Sequence, residues 1–155
     1  MTVKLSDWVF ASLKREGVRQ VFELTGGGAM HLNDSLGASG IEYICMVHEQ
    51  GAAMAAESYA KFTGDIGVCL VTTGPGGTNA MTGVAAAWAD STPMLVLSGQ
   101  VKRADLVGTT GVRQMGVQEI DVVAMARPIT TECPCAMSIT ITSAPASTSA
   151  CARSR

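Results

Sequence analysis

Residues 48–53 of the chain read His48-Glu49-Gln50-Gly51-Ala52-Ala53, and they join two segments of contrasting pattern. The segment before them, Ile41–Val47, is largely apolar, which is typical of a buried strand in a parallel sheet. The segment after them, Gln50–Phe62, repeats small residues at a helical period. Glu49 is therefore predicted to lie at the carboxyl end of a strand and in the first turn of a helix.

A carboxylate at that position has two explanations. In open α/β sheets ligands collect at the carboxyl ends of the strands, which favours a functional role for Glu49. An acidic side chain in the first turn of a helix also complements the helix dipole, which stabilises by about 0.3 to 1 kcal/mol and requires no ligand. Taken alone, the position favours the second explanation.

Helix and strand signals alternate along the rest of the chain, which predicts βαβ crossovers. The predicted fold is α/β: a doubly wound, mostly parallel sheet with helices on both faces, in a single domain. Ser6 is expected to cap the first helix and Gly17 to end it in a left-handed conformation. The remaining strands are predicted at Val18–Leu24, Ile66–Thr72 and Pro93–Ser98, and the remaining helices through Met30 to Leu36, Thr78–Ala89 and Ile120–Met125.

The composition changes near residue 130. Residues 1–130 are predicted to form the domain, whereas residues 131–155 contain no Leu, Val or aromatic residue and are predicted to be a largely disordered tail. Within the tail, Ser138–Thr142 alternates weakly and could add an edge strand. The foreign composition suggests a frameshifted or otherwise altered end, which the other reading frames of the encoding DNA would test.

Composition also limits the partners. Only 15% of the 155 residues are charged, the formal charge is −2 and no basic run exists, so nucleic acid is not an expected partner. The apolar stretches end well short of the roughly 18 residues that span a membrane, so a soluble, cytoplasmic protein is predicted. Cys45 and Cys69 are expected to be small hydrophobes in strands. No cysteine or histidine spacing predicts a metal site.

Two glycine-rich turns follow predicted strands and precede predicted helices, at residues 26–30 and 72–79. Glycine lets backbone N–H groups approach a ligand closely, and the helix that follows presents its positive end. Neither turn has the Gly-Lys-Ser/Thr ending of a P-loop or the full glycine pattern of a dinucleotide loop. Both fall at the sheet edge predicted for Glu49, and this combination favours a binding crevice with a carboxylate for proton transfer.

Several ordered motifs resemble those of the acetolactate synthase-like thiamine diphosphate enzymes. The resemblance covers residues 1 to about 130 and corresponds to that family's N-terminal domain, which binds the pyrimidine end of the cofactor. The motifs are Gly26-Gly27-Gly28-Ala29-Met30, His48-Glu49-Gln50-Gly51-Ala52-Ala53, Thr72-Thr73-Gly74-Pro75-Gly76-Gly77-Thr78-Asn79, and Asp90-Ser91-x-Pro93 with Ser98-Gly99-Gln100-Val101.

The resemblance implies a role for seven residues. A glutamate matching Glu49 would hydrogen-bond N1′ of the aminopyrimidine ring and promote removal of the thiazolium C2 proton, so Glu49 is the expected catalytic residue. The cofactor-binding residues that the resemblance implies are Gly27 and Gly28 facing the cofactor, Glu49, Thr73, Gly76 and Asn79 around the pyrimidine, and Gln118 reaching toward the reaction centre.

The resemblance also implies an incomplete site. The family binds diphosphate and Mg²⁺ through a Gly-Asp-Gly motif in a separate C-terminal domain, and this sequence contains no such motif. The chain is therefore expected to be the pyrimidine-binding half of an enzyme acting on 2-keto acids, inactive alone, and to work as a homodimer or with a complementary diphosphate-binding domain. Thr25 and Val117 replace the family's usual Pro and Phe, which leaves the substrate and acceptor open.

Two alternatives stand beside this interpretation. A non-catalytic binding or assembly module could use the same fold only to pair with a partner subunit. A nicotinamide- or flavin-binding domain would need an acidic ribose ligand after one of the glycine turns, and the sequence offers none that is well placed.

Overall fold

The computed structural model describes residues 3–132 and 139–142. Within them the chain alternates strands and helices, with single 3₁₀ turns at Gly27–Ala29, Arg103–Asp105 and Arg127–Ile129. The strands are β1 (Gln20–Glu23), β2 (Glu42–Cys45), β3 (Gly67–Val71), β4 (Met94–Ser98), β5 (Thr131–Glu132) and β6 (Ile139–Thr142). The helices are α1 (Leu5–Arg15), α2 (Met30–Ser39), α3 (Glu49–Thr63), α4 (Pro75–Ala89) and α5 (Val122–Ala126).

One six-stranded sheet has the strand order β2-β1-β3-β4-β6-β5. The first four strands are parallel, and β6 pairs antiparallel with both β4 and β5. The chain runs from β1 outward to β2 and then returns to β3 on the other side of β1, so a topological switch point lies between β1 and β3. In doubly wound sheets the crevice at the carboxyl ends of such strands binds ligands.

Two cores lie on opposite faces of the sheet because successive strand side chains alternate between the faces. On one face α1 and α2 cover Val21, Leu70 and Leu97. On the other face α3 and α4 pack against each other and cover Cys69 and Val71. The prediction of a doubly wound α/β domain with helices on both faces is confirmed.

The strand predicted at Ile41–Val47 is shorter and less buried than expected. Strand β2 covers Glu42–Cys45 only, and all four of its residues are exposed. The reason is its place at the edge of the sheet, where it pairs with β1 alone in the part of the chain that the structure describes. Cys45 is therefore exposed and is not the core residue predicted from its apolar neighbours, whereas Cys69 is buried.

Only the carboxyl end of α1 matches the prediction. Lys4 occupies the N-cap without a side-chain bond, and Ser6 lies inside the helix, where the buried Ser35 hydroxyl contacts it at 2.8 Å, so the predicted Ser6 cap is wrong. The carboxyl end matches: Gly17 has a φ of 90°. The Val18 N–H then donates to the Leu13 carbonyl at 3.0 Å, which closes the helix as a left-handed glycine allows.

The predicted tail lies mostly outside the described residues. The weak alternation at Ser138–Thr142 does correspond to a strand, Ile139–Thr142. That strand sits between β4 and β5 rather than at the edge, because Thr131–Glu132 pairs along its outer side. No helix within the described part of the chain has the length and apolar character needed to cross a membrane.

The two cysteines of the sheet are expected to differ in reactivity. Burial raises the pKa of the Cys69 thiol to about 12, with the charge of Glu49 adding to it. The pKa of Cys45 is raised by loss of hydration and by its hydrogen bond to Glu23 Oε1 at 3.5 Å. Iodoacetamide at pH 8 should therefore leave Cys69 unmodified in the folded chain, since only about one part in 10⁴ is thiolate there.

Peptide mapping by mass spectrometry measures this labelling, with the chain unfolded in urea as the control in which Cys69 reacts. Glu23→Gln removes the carboxylate that accepts the Cys45 hydrogen bond and should speed labelling of Cys45. Equal labelling rates for Cys69 in the folded and unfolded chain would contradict the core assignment.

Candidate functional site

Three turns meet at the carboxyl edge of the sheet, after β1, β3 and β4. The Gly28 N–H donates to Thr72 Oγ1 at 3.1 Å. A Cβ atom added to Gly28 would lie 2.7 Å from Thr73 Cγ2, and one added to Gly99 would lie 2.5 Å from the Gly28 carbonyl oxygen. The turns after the three strands are therefore in direct contact, as the predicted crevice requires.

Glu49 opens α3 at this edge. His48 is the N-cap residue, and its Nδ1 accepts a hydrogen bond from the Gln50 N–H at 3.1 Å. The Glu49 residue is 8% exposed, and its Oε2 accepts a hydrogen bond from Asn79 Nδ2 at 3.0 Å. This bond joins the first turn of α3 to the second turn of α4, and it brings together two residues predicted to share the site.

Thr73 is tied to a residue that the sequence analysis did not assign to the site. Thr73 is buried, and its hydroxyl donates to Gln100 Oε1 at 2.9 Å. Gln100 Nε2 in turn donates to the Ile120 carbonyl at 3.0 Å. Gln100 follows the end of β4 by two residues, so its place beyond a strand's carboxyl end was the signal that could have identified it.

The glycines of the two turns differ in what surrounds them. A Cβ atom on Gly27 would meet nothing within 4 Å, so this backbone faces open space. A Cβ on Gly76 would lie 2.9 Å from Thr72 Cγ2, and one on Gly77 would overlap Val122. Several glycines of the two turns therefore make room for other parts of the chain, whereas Gly27 leaves space for a ligand.

Gln118 lies at the same edge of the sheet and has an unusual backbone conformation. Its φ is 59°, which is uncommon for a residue other than glycine. A Cβ atom on Gly74 would overlap the Gln118 carbonyl oxygen and lie 2.9 Å from Gln118 Cβ. The structure thus places Gln118 beside the turn that precedes α4, in contact with Gly74.

The site is rich in hydrogen-bonding groups that suit a neutral heterocycle. Within the described residues, Asn79 is the partner of one Glu49 oxygen, and Oε1 is left to accept a hydrogen bond from a ligand. A carboxylate so placed can stabilise a proton on a ring nitrogen. Among the residues that the structure describes, no group of three His, Cys, Asp or Glu side chains is arranged to hold a metal ion.

Comparisons with known proteins identify the family of this domain. Residues 3–125 match the family described as "Thiamine pyrophosphate enzyme, N-terminal TPP binding domain". Over 121 residues the chain is 44% identical to the acetolactate synthase isozyme 2 large subunit of Escherichia coli (strain K12), covering 78% of this chain and 21% of that protein.

Two further relatives have similar identity and coverage. The acetolactate synthase large subunit of Lactococcus lactis is 44% identical over 126 residues, which is 81% of this chain and 21% of the relative. The acetolactate synthase of Arthrospira platensis is 44% identical over 122 residues, which is 76% of this chain and 20% of the relative. The chain thus spans about a fifth of the length of the curated relatives it matches.

Proposed function

Because the chain belongs to the thiamine pyrophosphate enzymes, through their N-terminal TPP-binding domain, we propose that it supplies the pyrimidine-binding half of a cofactor site in an acetolactate synthase-like enzyme. In this proposal the complete enzyme acts on 2-keto acids, and the chain alone is inactive. The observation that carries the proposal is the hydrogen bond between Glu49 and Asn79 at the carboxyl edge of the sheet, close to the switch point.

The described residues fit the pyrimidine end of thiamine diphosphate. Glu49 Oε1 offers an acceptor for a proton at N1′ of the ring, and Asn79 fixes the carboxylate through its other oxygen. The backbone at Gly27 faces open space that a ring can enter. When bound, the cofactor supplies the thiazolium carbon that reacts with a 2-keto acid. The role of Glu49 in this proposal is to hold the proton at N1′.

The same residues do not suit the diphosphate end. A diphosphate requires cations or a metal ion, whereas the side chain at the centre of this site is the anionic Glu49. The sequence also lacks the Gly-Asp-Gly motif expected for Mg²⁺. We therefore propose that Mg²⁺ and the diphosphate are held by a complementary diphosphate-binding domain.

An exposed apolar surface supports such a partner. Helix α4 carries no charged residue in its 15 positions, and Trp88 near its end is 42% exposed. On α3, Met54 is 38% exposed and Phe62 is 92% exposed. Exposed large apolar side chains on two packed helices suit a surface that another protein covers. The alternative, a non-catalytic assembly module, uses the same surface and leaves Glu49 without a role.

Calorimetry with thiamine diphosphate and Mg²⁺ tests the half-site directly. The isolated chain is expected to bind more weakly than a Kd of about 1 μM, which corresponds to about −8.2 kcal/mol, because half of the cofactor finds no partner groups on it. The full-length Escherichia coli relative, titrated in the same buffer, is the positive control. Sub-micromolar binding by the isolated chain would refute the proposal that this site is incomplete.

A further inference from the structure

A single carboxylate closes the long loop between β4 and α5. Glu119 Oε1 accepts a hydrogen bond from the Val107 N–H at 2.7 Å. Its Oε2 accepts from the Gly116 N–H at 3.1 Å and from the Met115 N–H at 3.3 Å. These bonds to the charged form lower the pKa of Glu119 below its usual value. One side chain thus fastens two points of the loop that are eight residues or more apart in sequence.

The residues on either side of Glu119 are fastened to the sheet edge. Gln118, with its φ of 59°, has its carbonyl and Cβ against Gly74. The Ile120 carbonyl accepts from Gln100 Nε2 at 3.0 Å, and the same Gln100 side chain accepts from the Thr73 hydroxyl. Glu119 therefore lies between two contacts that both lead to the turn after β3.

The backbone of Gln118 makes this arrangement informative. A left-handed conformation is unfavourable for a glutamine and persists only where the surrounding structure imposes it. Gly74 supplies the space, because a side chain there would overlap the Gln118 carbonyl. Glu119 stabilises the conformation of Gln118, because its three charge-assisted hydrogen bonds fix the peptide that follows Gln118.

We propose that Glu119 is a positioning residue that keeps the loop of residues 101–119 closed and thereby fixes Gln118 beside Gly74 at the carboxyl edge of the sheet. The inference rests on the proposed function only for the identity of the ligand that Gln118 would contact at this edge of the sheet. The closure of the loop is independent of any ligand.

Amide hydrogen exchange of the full chain, followed residue by residue by NMR at neutral pH, tests the proposal. In Glu119→Gln the amides of Val107, Met115 and Gly116 are expected to exchange at least about tenfold faster, because each loses a charged acceptor. The matched control is Asp105→Asn, which removes an exposed carboxylate from the same loop and should leave the three amides unchanged.

A second substitution tests the link to Gln118. Gln118→Gly removes the cost of the left-handed backbone, so adding it to Glu119→Gln should slow exchange of the amide at position 119, which donates to the Gly116 carbonyl, relative to the single variant. Glu119→Asp keeps the charge on a shorter side chain and should give intermediate exchange. None of these measurements uses thiamine diphosphate, so their outcome is separate from the outcome of the calorimetry.

Three results would overturn the inference. The first is unchanged exchange of the three amides in Glu119→Gln. The second is no slowing of exchange at the position 119 amide in the double variant, which would show that Glu119 does not hold Gln118. The third is a general loss of protection that includes the amide of Cys69 in the core, which would make Glu119 a residue of overall stability rather than of position.

Discussion

Glu49→Gln is expected to slow exchange of the thiazolium C2 proton by about 10²- to 10⁴-fold, the range that a positioned acid–base group contributes. The protein for this test is a chimera in which residues 3–125 replace the matching segment of the Escherichia coli isozyme 2 large subunit. Glutamine keeps the size of the side chain and an oxygen to accept from Asn79. The glutamine side chain has no negative charge to favour a proton at N1′. Exchange is measured by NMR after acid quench.

The fold should survive this substitution. Glu49 lies in the first turn of α3, so its loss removes about 0.3 to 1 kcal/mol of interaction with the helix dipole. In a domain of this size that lowers Tm by only a few degrees. Glu42→Gln, on the exposed edge strand β2, is the matched control and should leave exchange unchanged. Undiminished exchange in the Glu49 variant would remove Glu49 from the proposed role.

Gly67→Ala is expected to destabilise the chain by at least about 1 to 3 kcal/mol, the usual cost of overpacking a core. A Cβ atom on Gly67, the first residue of β3, would overlap the Ala56 carbonyl oxygen and lie 2.6 Å from its carbonyl carbon. Both atoms belong to the backbone of α3, so no side-chain rotation can relieve the contact. Urea unfolding followed by circular dichroism measures the loss in free energy of unfolding.

Gly37→Ala is the matched control for that experiment. Gly37 lies in α2, and a Cβ atom there would meet nothing within 4 Å. The same substitution should therefore stabilise by about 0.5 to 1 kcal/mol, because alanine loses less conformational entropy than glycine in a helix. Similar effects at the two positions would contradict the close approach of α3 to β3.

The periodicity of the sequence was sufficient for the parallel core and the order of its helices. The strands β3 and β4 are buried on both faces, so their apolar runs were reliable signals. The same signal predicted too long and too buried a strand for β2, because a run such as Ile41–Val47 does not reveal that its strand pairs with β1 alone among the described residues. The start of α4 at Pro75 rather than Thr78 also escaped prediction, because it depends on Gly74, with a φ of 62°.

The candidate site was predictable where residues lie at helix starts that follow strands. Glu49 and Asn79, from two predicted helix starts, are in contact in the structure. Gln100 also follows a strand end, two residues after β4, but its bonding partners and those of Glu119 were not predictable. Gln100 acts through a bond to Ile120, and Glu119 through bonds to the loop backbone. Such partners are distant in sequence and leave no periodic pattern.

The central proposal is that this chain holds the pyrimidine half of a thiamine diphosphate site and needs a second domain to act. Its most direct test compares thiazolium C2 proton exchange in the isolated chain with exchange in the chimera. With the isolated chain, exchange should proceed at the rate of the free cofactor, whereas the folded chimera should accelerate exchange in a way that depends on Glu49. Accelerated exchange by the isolated chain, or no acceleration by a folded chimera, would contradict it.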